Sequence, residues 1–92
     1  MASFERIEEE ARSLIEGDRN EDYGPWAKEA DKIAAVWSAL AGVPIKPEHV
    51  APMMVGLKLV REGNRHKRDN LTDAIGYILL QDKMTDPEQM QP

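Results

Sequence analysis

The chain has 92 residues, no cysteine and a net charge of −5. That length suits one domain, and the missing thiols exclude disulfides, thiolate metal sites and cysteine nucleophiles. Apolar residues make up 41% and the mean hydropathy is −0.57. No apolar run approaches the ~18 residues of a membrane span, and the first residues are acidic rather than basic, so a globular cytoplasmic protein is expected.

Four helical segments are predicted, punctuated by Gly17, Gly42 and Gly63, each at the end of an apolar stretch of helical period. The first runs from about Phe4 to Glu16, with Phe4, Ile7, Ala11, Leu14 and Ile15 on one stripe. The second runs from Pro25 or Trp26 to Ala41. Its apolar residues Trp26, Ala30, Ile33, Trp37 and Leu40 step by fours and threes, which makes a bundle seam. The third begins at Pro47, but Pro52 lacks an N–H and its ring crowds the preceding turn. A short turn at 47–50 and then a helix over 51–62 are therefore expected. That helix is apolar nearly all round, so it should be the most buried element, with Met54 and Leu57 nearly inaccessible in the assembled protein. The fourth spans about 69–84, with Leu71, Ala74, Ile75, Ile78 and Leu79 on its apolar face and Leu80 off it. No stretch shows strand alternation. The expected fold is all-α: a small antiparallel bundle of about four helices over 1–84, with a flexible tail over 85–92. The surplus apolar surface of the third helix and Leu80 points to a homodimer.

Charge is distributed in blocks. Residues 1–31 hold ten acids and four bases, residues 32–68 two acids and seven bases, and residues 69–92 five acids and one base. A basic middle between acidic ends either neutralises them within the fold or across a dimer, or forms a phosphate-facing surface. The overall acidity argues against general nucleic-acid binding.

Three groups could carry chemistry. Asp18, Asn20, Asp22 and Glu29 fall at places one, three, five and twelve of a calcium-loop pattern. Tyr23 occupies the place that such a loop gives to glycine, so an ordered polar loop with Tyr23 packed against the body is the better reading. Asp69 and Asp73 stand four apart on the fourth helix and share a face. They could hold a divalent cation such as magnesium, or serve only the start of the helix, with Asp69 or Asn70 as its cap. Lys58 and Arg61 on the third helix, with His66 and Arg68 in the basic run 65–68, could bind phosphate or line a solvated loop. Lys58 interrupts an apolar face, and an ion pair with Asp73 would satisfy both. With His49 and His66 as the only histidines, a histidine-rich metal site is excluded.

The stretches GDRNEDYGPW, IAAVWSALAGVPIKPEHVAPMMVGLKLVR and RDNLTDAIGYILL carry an R-x-x-x-Y-G loop, a V-A-x-M-M-x-x-L-K helix and a D-x-x-x-D-x-x-G-Y helix. Over residues 11–82 this resembles a family of small, largely uncharacterised proteins of tailed bacteriophages. The resemblance implies a phage origin, hence the host cytoplasm. More distantly, the paired acids resemble the MazG-like all-α nucleotide pyrophosphohydrolases, which hold magnesium with E-E-x-x-E and E-x-x-D motifs. Asp69 and Asp73 would stand for the later motif, with altered spacing. The third helix offers Lys58, Arg61 and Glu62 where the earlier motif is expected.

Two functions follow. The chain is a helical interaction module without catalysis that binds a host or phage protein. Alternatively, Arg19, Tyr23, Lys58, Arg61, His66 and Arg68 bind a nucleotide or phosphate, with magnesium at Asp69 and Asp73 in a pyrophosphohydrolase.

Overall fold

The structure, a computed structural model, describes residues 4–16 and 25–85. These residues form four helices: α1 (Phe4–Glu16), α2 (Trp26–Ala41), α3 (Pro47–Asn64) and α4 (Arg68–Thr85). No strand occurs among the described residues. None of the described helices is long and apolar enough to cross a membrane.

The turn after α2 is set by a glycine. Gly42 takes the left-handed conformation (φ 74°), and its N–H donates to the Ser38 carbonyl at 2.9 Å, closing the helix. Ser38 then ties down the connection. The Ile45 N–H donates to Ser38 Oγ at 2.7 Å, and Ser38 Oγ donates to the Ile45 carbonyl at 3.1 Å. Ile45 is thereby held against the core, while Leu40, expected on the seam, is 81% exposed.

The third helix is continuous from Pro47, contrary to the expected break at Pro52. Pro47 suits a first helical position, where an N–H has no intrahelical partner anyway. Pro52 lies only one turn further in, and the bond it cannot make is to the Glu48 carbonyl four residues back. Gln81 Nε2 on α4 donates to that carbonyl at 3.1 Å. A tertiary contact thus replaces the missing helical bond, which a reading of the helix alone could not foresee. At the other end α3 runs through Gly63 to Asn64 and stops at Arg65, whose extended backbone (φ −155°, ψ 126°) breaks the repeat. Gly63 is therefore not a cap.

α3 and α4 form a helical hairpin. Glu48 meets Gln81, Lys58 meets Asp73, and Glu62 meets Asn70, so one helix advances as the other retreats. α1 lies on α4. Glu10 meets Arg68 and Thr72, and Ile15 approaches Gly76, so these two helices advance together rather than opposed.

The core is built from small residues. Ala30, Ala34 and Ala51 pack with Trp26, Val50 and Leu80, and Ile33, Trp37, Ile45, Met54, Tyr77 and Met84 close its margin. Alanines let helix axes approach closely, so modest side chains fill the interior. Trp26 stands edge-on to Tyr77, with ring centroids 5.9 Å apart. Within the single chain α4, not α3, is the most buried helix: Asn70, Thr72, Ala74, Gly76 and Leu80 are all buried. Met54 is only half-buried and Leu57 is 38% exposed. Leu80, expected off the packed face, sits in the core, and Ile78, expected on it, is exposed. The face of α4 is wider than one stripe because α1, α2 and α3 all pack against it.

Candidate functional site

The candidate residues that the structure describes gather where α3 ends and α4 begins. Lys58 projects from the apolar middle of α3 toward α4, and its Nζ lies 3.0 Å from Asp73 Oδ2. The lysine side chain is 15% exposed and the aspartate 35%. Each charge meets its opposite directly, as the inward lysine requires.

One turn further, Glu62 organises the connection between the helices. It accepts hydrogen bonds from the Lys67 N–H at 2.9 Å and from Asn70 Nδ2 at 3.5 Å, and it pairs with His66 Nδ1. Hydrogen bonding from His66, then from the Lys67 backbone, holds the Glu62 carboxyl below the usual glutamate range. Asn70 is buried, and its N–H donates to the Lys67 carbonyl at 3.0 Å. Helix α4 starts at Arg68, so neither Asp69 nor Asn70 caps it; both lie in its first turn. The sequence places Glu62 only where a metal-binding acidic motif is expected, whereas here it holds the loop. The signal was present in the Glu62–His66 spacing of four, but its bonds to the Lys67 backbone and to Asn70 depend on the loop's course.

Arg68 faces the other way, to α1. Its Nε and Nη2 donate to Glu10 at 3.0 and 3.2 Å. Thr72 Oγ1 lies 3.1 Å from the Arg68 carbonyl and 3.5 Å from Glu10 Oε2. The Arg68 guanidinium holds the Glu10 carboxyl below its ordinary value. Arg68 therefore ties α1 to α4.

Beside these ties lies an open groove of about 700 Å³, walled by Lys58, Asp73, Val60 and Asn70. Arg61, Asn64, Arg65, Lys67 and Asp69 complete it. Arg61, Arg65 and Lys67 are exposed and make no ion pair with a described residue. Asp69 lines the same groove one turn before Asp73 but takes no part in its bridge to Lys58. The structure thus brings Lys58, Arg61, Asp69 and Asp73 to one corner. His66 is turned to Glu62 and Arg68 to Glu10. Arg19, Tyr23 and most of the calcium-like loop lie outside the described residues. Among the described residues, no three histidines, aspartates or glutamates are placed to hold a metal ion.

Residues 6–85 match the model of DUF6378, described as a domain of unknown function. The chain belongs to the DUF6378 family. The match runs from within α1 to the end of α4. The chain is 39% identical over 80 residues to the Gene 55 protein of Mycobacterium phage L5, covering 85% of this chain and 51% of that protein. It is 38% identical over 74 residues to the Gene 55 protein of Mycobacterium phage D29, covering 79% and 49%. The chain thus spans about half the length of these curated relatives. No solved structure matches it. The expected likeness to phage proteins is present in these relatives.

Proposed function

We propose that the chain is a phage-encoded helical interaction module without catalysis, which pairs with a second copy of itself and binds a phage or host protein. The observation that carries this reading is its uncovered apolar surface. Met53, Leu57 and Val60 follow the i, i+4, i+7 spacing of one α3 stripe and are 46%, 38% and 72% exposed. Val36 and Leu40, four apart on α2, are 57% and 81% exposed, and Val43, beyond the turn at Gly42, is 58% exposed. A stable interface takes roughly 800 Å² per partner around an apolar centre, and the exposed α3 stripe of Met53, Leu57 and Val60 supports such a centre.

The competing reading, a magnesium-dependent nucleotide pyrophosphohydrolase akin to the MazG-like enzymes, needs Asp69 and Asp73 free to share a cation. The Lys58–Asp73 bridge supports a tie between helices instead. Light scattering over a concentration series tests the pairing: the expected mass is twice the 10.4 kDa of one chain, falling to one copy in Leu57→Glu/Val60→Glu. A single-copy mass for the unaltered protein at tens of micromolar refutes it. Release of pyrophosphate from nucleoside triphosphates with magnesium, lost in Asp73→Asn, refutes the absence of catalysis.

A further inference from the structure

The apolar stripes say nothing about the charged groove, whose chemistry is different and separable from self-association. We infer that the groove at the α3–α4 corner is a binding site for a small phosphate-bearing anion, held by Arg61, Arg65 and Lys67.

The argument rests on which charges are already matched. Three basic side chains, three acids and one backbone N–H of this corner are matched: Lys58 by Asp73, His66 and the Lys67 N–H by Glu62, and Arg68 by Glu10. Here the Lys67 contribution is its backbone alone, and its ammonium stays uncommitted. Of the groups lining the groove, that leaves Arg61, Arg65 and the Lys67 side chain against a single unmatched carboxylate, Asp69. Acids that could have neutralised the arginines are thus spent elsewhere, and the excess of positive charge is local although the chain as a whole is acidic.

The groove is also held in shape. Arg61 and Arg65 stand one turn apart, and the Arg65 N–H donates to the Arg61 carbonyl at 3.0 Å. Glu62 fixes the loop that carries Lys67. Cations whose backbones are already ordered lose less entropy when an anion arrives. Two guanidinium groups and an ammonium around a concave space suit the several oxygens of a phosphate or diphosphate, and guanidinium can bind such oxygens in pairs. The volume of about 700 Å³ lies within the range of small-molecule sites, ~300–1,000 Å³, and accommodates more than a lone ion. Asn64 and Asn70 add amide groups along the wall.

Calorimetric titration of the whole chain with pyrophosphate, without divalent metal, tests the site. Saturable binding is expected, and sulfate at matched ionic strength should bind more weakly. Arg61→Ala/Arg65→Ala should weaken pyrophosphate binding at least about tenfold, since each charge-assisted contact is worth about that factor or more. Its melting temperature should stay unchanged, because neither guanidinium pairs with a described residue. Asp69→Asn should tighten binding, since it removes the one carboxylate of the groove that no described cation matches. The inference fails if pyrophosphate gives no saturable signal or if sulfate binds equally well. It also fails if the double variant binds as the parent does or if Asp69→Asn weakens binding. A short oligonucleotide binding more tightly than pyrophosphate would overturn the assignment to a small anion. None of these outcomes depends on whether the chain dimerises.

Discussion

Removing the Asp73 carboxylate should cost more than removing its lysine partner, although the two form one bridge. The asymmetry comes from burial: the Lys58 side chain is 15% exposed and that of Asp73 35%. Asp73→Asn keeps the volume but strands an ammonium that reaches little water. Lys58→Met instead removes the more buried charge and leaves a carboxylate that water can reach. Exposed pairs contribute ~0–1 kcal/mol, and breaking a fully buried one costs ~3–5 kcal/mol. This half-buried pair falls between, so Asp73→Asn should cost about 1–2 kcal/mol, a fall of roughly 5–15 °C in melting temperature for a domain of this size. Lys58→Met should cost under about 1 kcal/mol, because the flexible thioether fills the same channel beside α4. In the Lys58→Met background the Asp73→Asn substitution should then be nearly free, a coupling of about 1–2 kcal/mol in a double-mutant cycle. Urea melts followed by circular dichroism measure all four corners of the cycle. An Asp73→Asn cost that is the same with and without Lys58 would refute the reasoning, because the aspartate would then be acting through some other partner.

The Gln81 amide should matter only because Pro52 is a proline: Gln81→Ala should cost about 0.5–1.5 kcal/mol, and that cost should vanish in Pro52→Ala, where the helix regains its own bond to the Glu48 carbonyl. Equal costs in both backgrounds, read from urea melts, would sink that account. A methyl group at Gly76 would sit 3.6 Å from Ile15 Cγ2 and 3.9 Å from the Ala11 carbonyl, an ordinary contact. Gly76→Ala should therefore stabilise by up to about 1 kcal/mol through helix propensity, whereas Gly76→Leu should push α1 off α4 and lower the melting temperature. Glu10 and Glu62 both have folded-state carboxyl values below their unfolded ones. Their contribution is present above the unfolded value of about 4.3 and is lost as pH falls through the lower folded values. Stability measured from pH 6 to pH 3 should decline, and Glu10→Gln/Glu62→Gln should flatten that decline; an unchanged slope would contradict the assignment.

Local sequence determined the parts of this protein that depend on local physics. The first two helices occupy the expected spans, because apolar spacing and the glycine after Ala41 act within a few residues. The Lys58–Asp73 pair was legible too, since one lysine on an apolar helix needs an acid and a neighbouring helix carries one facing inward. Tertiary structure decided everything that depended on which surface lay opposite. Pro52 reads as a break until α4 brings Gln81 to the orphaned Glu48 carbonyl. Gly63 reads as a cap, yet the helix passes through it and ends only where Glu62 fixes the loop. Leu80 and Ile78 exchange their expected places because α4 is packed by three helices rather than one, and periodicity along a single helix carries no record of its neighbours. The charged groove has the same origin. Sequence shows a run of basic residues at 65–68, but only the folded chain turns Arg68 and His66 onto acids and leaves Arg61, Arg65 and Lys67 around an open space. Matching of charge is a property of three-dimensional distance, and distance is what the linear order does not contain.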